Sequence, residues 1–409
     1  MTPECIFSTA DILLPDYVKS SKEFEKWSVI ACDQFTSDVS YWNQTESIIN
    51  GTPSTYDYIL PEAFLGTDRE AEKTADFKSK MSALSSSPLT KEVNGYIYIE
   101  RTLSDGKIRR GILGKLDLEH YDYAADSSSA VRATEQTVAE RIPARRALRA
   151  EAVIELPHIM VFADDVTGLF ETAKSLANEE NVLYDFELMQ GGGHIKGYAI
   201  EGELTEKLVQ AISKNESSAS LPYAVGDGNH SLAAAKSHFE MIKAKLGKEV
   251  AMHHPARYAL CEVVSIYDEA IEFEPIHRIL KGVDVKKLLS ALGEITSDGA
   301  GDQSIRLITA DAENTLRFTK TTHDMTVGTL QNFIDAYLTE NAGVCDYIHG
   351  ESELRALAEN ENSVAFMFEG FDKSKLFTYI KNGPMPRKTF SMGDARSKRY
   401  YLEARRIAE

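Results

Sequence analysis

Apolar and polar positions alternate over several short stretches of the chain, and these stretches predict strands joined by tight turns. Residues 94–102 and 108–116 are rich in aromatic and β-branched side chains and flank an Asp105–Gly106 pair. Because Asp-Gly supplies the positive-φ backbone of a two-residue turn, the pattern predicts an antiparallel hairpin. Residues 184–190 and 195–202, which flank three consecutive glycines, predict a second hairpin.

Other stretches have the pattern of helices and buried strands. Residues 129–142 predict a helix that Pro143 ends, and residues 158–165 predict a buried strand that runs into an acidic turn. Residues 27–32 predict a further buried strand. Since strands and helices alternate along the whole chain, the sequence predicts an α/β to α+β fold, with mixed sheets and flanking helices.

A chain of 409 residues is longer than one hydrophobic core usually organises. We therefore expect at least two domains, or one domain with a large insertion. The expected division is an N-terminal mixed α/β domain at 1–215, a strand–loop–helix segment at 216–265 and a C-terminal α/β part at 266–409. The C-terminal part could pack back on the strand–loop–helix segment.

Charge and composition narrow the expected partners. The chain has 63 acidic and 45 basic side chains, a formal charge of −18, and no long basic run, so nucleic acid is not an expected partner. The first residues do not resemble a signal peptide, and no stretch has the length of a membrane span. The four cysteines are far apart and form no CxxC pair, which favours a reducing compartment. We expect a cytoplasmic protein without a membrane partner.

The segment at residues 221–247 is the best candidate for a functional site. Residues 221–225 predict a short strand, Gly226–Asp227–Gly228 predicts a turn, and a helical pattern then runs to Gly247. A strand that passes through glycines into a helix directs unpaired N–H groups and the positive end of the helix dipole at one point. That point suits an anion.

Side chains at this junction add chemistry to the backbone. Asp227 could hold a metal ion or accept a proton, and His230 could donate a proton near neutral pH. The residues expected to contact a phosphate are Gly226, Gly228, Asn229 and Ser231. The same sequence also fits a tight turn before a capped helix, with no ligand at all.

The segment DGNHSLAAAK at 227–236 resembles the DGHHR-x-x-A segment of the family called domain of unknown function 1015. Further stretches are similar to that family in the same order, so the resemblance covers nearly the whole chain. These stretches are residues 27–42, 109–123, 131–146, 155–165, 273–280 and 385–395.

The pattern DG-x-H-x-x-x-A also resembles the phosphate-binding box of ParB and sulfiredoxin-like proteins. Some of those proteins are nucleotide-dependent enzymes, including kinases of free serine, so the resemblance implies a nucleotide or phosphate ligand. An Arg usually follows the His in that box and binds phosphate, whereas this chain has Ser231. Arg145 and Arg146 could reach the phosphate instead.

Acidic and basic residues elsewhere could complete the site. Asp164 and Asp165 follow a predicted strand, where they could hold Mg²⁺ or form an acidic turn that caps the next helix. Glu135 could serve as a base or pair with Arg141 along the predicted helix. The basic tail, residues 383–407, could fold back on the acidic body and contribute Lys388 to an anion site, or form a charged surface helix.

Taken together, the sequence suggests a nucleotide-binding, Mg²⁺-dependent phosphotransferase that acts on a small hydroxylated metabolite. The expected catalytic residues are Asp227, Glu135 and His230, with Asp164 and Asp165 as metal ligands. The alternative is a non-catalytic small-molecule-binding or regulatory protein, in which Ser231 marks a lost catalytic Arg.

Overall fold

The computed structural model describes residues 4–35, 38–64, 66–83, 87–299 and 301–408. The chain forms two compact units. The first contains residues 1–271 and 394–409, and the second contains residues 272–393. The first unit thus includes the segment expected at 216–265, and the last residues of the chain return to it. Within the described ranges, no helix combines the length and apolar character needed to cross a lipid bilayer.

The first unit is built on one large mixed sheet. The strands of this sheet are β1 Phe7–Ser8, β2 Ala10–Leu14, β3 Lys91–Thr102, β4 Ile108–Asp117, β5 Tyr121–Asp122, β6 Val131–Ala133, β8 Met160–Ala163, β9 Val182–Glu187, β10 His194–Glu201, β11 Tyr223–Asp227 and β12 Tyr258–Ser265; β7 Ile154–Glu155 lies outside it. Its helices are α1 Lys22–Trp27, α2 Val39–Ile49, α3 Glu70–Ser82, α4 Ile142–Glu151, α5 Leu169–Leu176, α6 Glu203–Ser218, α7 Asn229–Leu246 and α8 Lys248–Ala251.

The second unit has its own antiparallel sheet with helices packed against it. Its strands are β13 Glu274–Lys281, β14 Thr296–Ser297, β15 Ser304–Ile308, β16 Glu313–Phe318, β17 Val344–His349, β18 Ser363–Met367 and β19 Phe390–Ser391, in the order β14-β16-β15-β18-β13-β17 with β19 on β13. Its helices are α9 Val285–Gly293, α10 Thr326–Glu340, α11 Glu351–Ala358 and α12 Leu376–Lys381.

The last strand of the first unit, β20 Arg405–Arg406, pairs with β7.

The order of strands in the main sheet places the candidate site. Its central path is β5-β6-β11-β8-β12-β4-β3-β10-β9. Strands β6 and β11 are parallel, whereas β8 runs antiparallel to β11. The carboxyl ends of β6 and β11 therefore meet the amino end of β8 at one edge of the sheet.

Side-chain alternation gives the sheet two buried faces. In β3, Tyr96 and Tyr98 pack in the core that α5, α6 and α7 cover, whereas Ile97 and Ile99 pack on the opposite core. The period of two along a strand is what separates the two sets. Because both faces are covered, consecutive residues are buried throughout β8 and along nearly all of β12, as expected for a sheet with two buried faces.

The predicted α/β to α+β class is confirmed by these mixed sheets with flanking helices. Both predicted hairpins are confirmed as the antiparallel pairs β3–β4 and β9–β10. Gly106 has φ 83°, the positive φ that was expected in the Asp105–Gly106 turn.

The predicted helix at 129–142 is wrong. Residues 131–133 are strand β6, and α4 begins at Ile142 with Pro143 in its first turn. Proline lacks an N–H that the first turn does not use, so Pro143 begins this helix and does not end one. Glu135 and Arg141 consequently do not share a helix.

The predicted strand at 27–32 is also wrong. Trp27 is the last residue of α1, and only Val29 forms a bridge, with Tyr401. The run is apolar because Trp27, Val29 and Ile30 are buried in the core, not because it belongs to a sheet.

Buried ion pairs hold the end of the chain on the main sheet. Arg399 donates to Glu262 of β12 at 2.7 Å and also to Glu403, and all three side chains are buried. Tyr184 donates to the other oxygen of Glu403 at 2.5 Å. One expectation for the basic tail was a charged surface helix. Around Arg399 this expectation is wrong, because the charge of Arg399 is paired in the interior.

Replacing Glu262 with Ala should lower the free energy of unfolding by about 3–5 kcal/mol, because Arg399 keeps a buried charge with only one carboxylate partner. Urea denaturation measures the change. Glu92→Ala, which removes a surface pair with Arg406 at 3.4 Å, is the control and should cost under about 1 kcal/mol. Equal small losses in both variants would show that the Arg399 pair does not hold the fold.

Candidate functional site

The junction between β11 and α7 requires glycine at two positions for reasons of packing. Gly228 caps the helix with φ 83°, and a Cβ atom there would lie 3.1 Å from the side chain of Ile159. A Cβ atom on Gly226 would lie 2.6 Å from the ring of Phe162. The backbone therefore turns directly from strand into helix, with its first N–H groups at the edge of the sheet.

Two neighbouring strands, β6 and β11, bring polar residues to this edge. Ala133 of β6 pairs with Val225 of β11 in parallel register, so Glu135 and Asp227 each lie two residues beyond the pair. The hydroxyl of Thr134 donates to the carbonyl of Val225 at 2.7 Å and fixes the two chain segments together. Ligand groups are commonly found at such carboxyl ends of strands. Both residues were expected as catalytic groups from the sequence, and the parallel pairing of β6 with β11 brings them to the same end of the sheet.

Ser231, His158 and Tyr401 form a chain of hydrogen bonds beside the helix start. The hydroxyl of Ser231 is 3.1 Å from Nε2 of His158, and the hydroxyl of Tyr401 is 2.9 Å from Nδ1 of the same ring. Burial lowers the pKa of His158 to about 4; Asp227 opposes the shift, and the charges of Lys398 and Arg145 add to it. Burial raises the pKa of Tyr401 well above its usual value. The imidazole is therefore neutral near pH 7.

A cation from the end of the chain lies beside Asp227. The ammonium of Lys398 is 3.4 Å from Oδ1 of Asp227, with side chains 13% and 24% exposed, so the pair is largely shielded from water. Nε2 of His230 accepts a hydrogen bond from the N–H of Val138 at 3.2 Å. Oδ1 of Asn229 is buried and has no hydrogen-bond partner in the part of the chain that the structure describes.

The expected metal ligands lie elsewhere. Because β8 is antiparallel to β11, Ala163 pairs with Tyr223 while Met160 pairs with Asp227. Asp164 and Asp165 follow Ala163, which places Asp164 about 13 Å along the strand direction from Asp227, at roughly 3.3 Å per residue, and Asp165 one residue farther. The strand direction thus prevents them from sharing a metal with the junction.

Both aspartates have structural partners where they are. Asp164 accepts from the hydroxyl of Tyr267 at 2.7 Å. Asp165 accepts from the N–H groups of Leu169 at 2.7 Å and Phe170 at 3.3 Å, and so caps α5. This is the acidic turn that was the alternative to a metal site. Among the described residues, no group of three or more His, Cys, Asp or Glu side chains is arranged to hold a metal ion.

The three basic residues expected at the phosphate differ in position. Arg145 of α4 acts electrostatically on both His158 and Tyr401, so it lies near the junction. Arg146 donates to Ser237 at 3.2 Å, and Ser237 is about 9 Å along α7 from Ser231 at 1.5 Å per residue. Lys388 belongs to the second unit, where its carbonyl accepts from Arg278 at 2.9 Å.

The sequence from residue 16 to residue 405 matches the family described as "Protein of unknown function (DUF1015)". The chain belongs to this family. No curated protein matches the chain.

Solved structures similar to this DUF1015 protein have low identity and low TM-scores. A C-terminally truncated SbnI from Staphylococcus aureus is 11% identical, covering 71% of this chain and 85% of that chain, with a TM-score of 0.38. A free serine kinase in complex with AMP is 11% identical, covering 72% and 90%, with a TM-score of 0.37. A conserved hypothetical protein from Pyrococcus furiosus is 15% identical, covering 70% and 90%, with a TM-score of 0.33. Likenesses at this level identify no function.

Several residues of the candidate site were missed by sequence reasoning. His158 precedes a strand, and Lys398 and Tyr401 lie in the tail, with no local motif around any of them. Only His158 lies in a stretch that resembles the family, residues 155–165, whereas Lys398 and Tyr401 lie beyond the last such stretch, residues 385–395. Their proximity depends on strand order and on the return of the tail, which a single sequence does not show.

Gly228→Ala should cost more stability than Gly168→Ala. Both glycines are left-handed helix caps, with φ 83° and 76°, so each substitution pays about 1–2 kcal/mol of backbone strain. A Cβ atom on Gly168 meets nothing within 4 Å, whereas one on Gly228 presses on Ile159, which should add about 1–3 kcal/mol. Denaturant melts of both variants measure the difference; equal losses would contradict the crowding at Gly228.

Stability should fall in acid partly through His158. Its native pKa of about 4 lies below the unfolded value of about 6.5, so the unfolded chain binds the proton first as the pH falls. The contribution is therefore fully present above pH 6.5 and is lost progressively between about pH 6.5 and pH 4. His158→Gln should flatten the slope of unfolding free energy against pH in this window. An unchanged slope would show that His158 does not titrate in this way.

Proposed function

We propose that the edge formed by β6, β8 and β11 binds the phosphate groups of a nucleotide, and that the protein transfers a phosphoryl group to a small hydroxylated metabolite. The observation that supports it is the position of Lys398, a largely buried cation held against Asp227 at the start of an 18-residue helix. The sequence-based resemblance to phosphate-binding boxes agrees with this proposal.

The charges around the junction favour an anion. The first turn of α7 has N–H groups without partners inside the helix, and the helix dipole adds partial positive charge there. Lys398 and Arg145 add two full positive charges, and the carboxylates at this edge are Asp227 and Glu135. A phosphate group bound here would find both hydrogen-bond donors and positive potential.

Acceptor chemistry is available at the same edge. Asp227, or Glu135 at the end of the neighbouring parallel strand, is the base for the hydroxyl of the metabolite. Oδ1 of Asn229, which is buried and unsatisfied by the described residues, would accept a hydrogen bond from a donor on the ligand. Phosphoryl transfer needs little more from a protein than such positioning and charge stabilisation.

Magnesium would arrive with the nucleotide. Mg²⁺ keeps most of its water ligands and is commonly bound by one or two carboxylates plus phosphate oxygens, so a dedicated cage is not required. Asp227 and Glu135 fit that limited donor set, whereas Asp164 and Asp165 do not because they lie beyond reach. The ion would neutralise charge on the phosphates.

The second candidate is a binding protein without catalysis. Ser231 occupies the position at which the related motif has Arg, and its hydroxyl contacts His158. Under this alternative the nucleotide or another phosphorylated metabolite binds at the same place but is not consumed.

Lys398→Met should weaken nucleotide binding by about 10- to 100-fold, since a charge-assisted hydrogen bond contributes roughly 1.5–3 kcal/mol. Calorimetric titration with ADP and ATP, each with and without Mg²⁺, measures the affinity. Lys214→Met removes an exposed lysine of the same unit and should leave the affinity unchanged.

Three results separate the alternatives. Binding with release of ADP when a pool of hydroxylated metabolites is added supports the transferase. Binding without turnover supports the non-catalytic protein. If no nucleotide binds at millimolar concentration, the proposed function is wrong and the junction is a structural turn, in which case Asp227→Ala should change stability alone.

A further inference from the structure

Ser231 has the geometry of an activated nucleophile. Its hydroxyl lies 3.1 Å from Nε2 of His158, within the range at which an imidazole takes a proton from a serine. The other ring nitrogen lies 2.9 Å from the hydroxyl of Tyr401. In the tautomer with the proton on Nδ1, the ring donates to Tyr401 and offers the lone pair of Nε2 to Ser231. The nucleophile Ser231, the base His158 and the orienting residue Tyr401 are then joined by two hydrogen bonds.

We propose that Ser231 accepts a phosphoryl group on its Oγ, with His158 as the general base and Tyr401 as the residue that positions the imidazole. The proposal rests on the proposed function, because the nucleotide is the phosphoryl donor. The Oγ–P bond forms as the bond from phosphorus to the bridging oxygen breaks, and the nucleoside diphosphate leaves with the electron pair. The proton of Ser231 moves to Nε2. The metabolite oxygen then bonds to phosphorus as the Oγ–P bond breaks. The proton of the metabolite hydroxyl moves to Asp227 or Glu135, and the proton on Nε2 returns to Ser231.

The surroundings select a phosphorus centre over a neutral carboxylic ester. Lys398 and Arg145 act on His158 as positive charges and Asp227 opposes them, whereas Arg399, which also acts on the ring, is itself paired with Glu262 and Glu403. Ser231 itself lies in the first turn of α7, at the positive end of the helix dipole. An anionic donor is attracted into this field, and the negative charge that develops on its oxygens during transfer is stabilised there.

The hydrogen bond of Ser231 is not the one that a serine in a helix usually makes. Such a hydroxyl commonly bonds to a backbone carbonyl one turn earlier in its own helix. In this chain Ser175 and Ser217 do so, with Thr172 and Lys214. Ser231 instead contacts the ring of His158, which lies between β7 and β8, 73 positions away. The contact places a proton acceptor, Nε2 of His158, within hydrogen-bond distance of the Ser231 hydroxyl.

Tyr401 holds the ring from the other side. Its own backbone is fixed by the N–H of Tyr401, which donates to the carbonyl of Val29 at 2.8 Å. The ring of Tyr401 is 5.2 Å from that of His158. The orientation of the base therefore depends on the returning end of the chain.

A fluorophosphonate ester tests the nucleophile without any nucleotide. Attack by Ser231 forms the Oγ–P bond and expels fluoride, and intact-mass measurement with peptide mapping locates the adduct. The wild type should be modified at Ser231 and Ser231→Ala should not. His158→Gln should slow labelling by about 10²- to 10⁴-fold, the usual contribution of a general base. Ser217→Ala, at an exposed serine, should react as the wild type does.

The role of Tyr401 has a separate readout. Tyr401→Phe removes the hydroxyl but keeps the ring, so the fold should persist. If Tyr401 positions the base, the pH at which labelling reaches half its maximal rate shifts in this variant. An unchanged pH profile would show that Tyr401 is only part of the core.

ATP labelled on its γ-phosphate tests the natural donor. We expect phosphoserine at 231 in the wild type and none in Ser231→Ala, and titration of that variant with ADP shows whether the loss comes from the nucleophile or from the nucleotide site. A protein that binds nucleotide but is modified at Ser231 by neither reagent overturns the nucleophile and leaves the proposed function standing. Modification of Ser231 by the fluorophosphonate, with no nucleotide bound, supports the nucleophile and overturns the nucleotide as its donor.

Discussion

The pairing of Arg399 with Glu262 and Glu403 is the interaction on which the candidate site depends. Arg399 lies between Lys398, which contacts Asp227, and Tyr401, which contacts His158. Both contacts exist only while the end of the chain lies on the main sheet. A buried pair of this kind adds little net stability but is costly to break, so it fixes a position more than it strengthens the fold.

Other buried groups hold the same segment. Arg101 donates to the carbonyl of Arg396 at 2.9 Å, and Arg109 donates to that of Ser397 at 2.5 Å. Burial and the charge of Arg109 lower the pKa of Arg101 to about 9. The indole of Trp27 donates to the carbonyl of Leu402 at 2.7 Å. Side chains from β3, β4 and α1 therefore hold the backbone of the tail in a fixed position. A fixed position is what a segment that completes a site requires.

Local chemistry allowed much of the fold to be predicted. The β3–β4 hairpin follows from Asp105–Gly106, and the passage from β11 into α7 follows from glycines and helical periodicity, all within a few residues. Pro143 misled the prediction because proline is compatible both with the end of one helix and with the first turn of another. Only the tertiary setting separates these cases.

The site was less predictable because it is non-local. Asp164 and Asp165 were expected near the junction because they end a strand, but periodicity does not reveal whether that strand runs with or against its neighbour. Lys398 and Tyr401 approach Asp227 and His158 across 171 and 243 positions of sequence. No pattern inside either segment indicates such a contact.

The most direct test is a crystal structure of the protein with a non-hydrolysable ATP analogue and Mg²⁺. The account predicts a phosphate oxygen within about 3 Å of the Lys398 ammonium and of the first N–H groups of α7, distances normal for charge-assisted hydrogen bonds. The γ-phosphorus should face Ser231. A nucleotide bound elsewhere, with Lys398 still against Asp227 and no ligand at the junction, would contradict it.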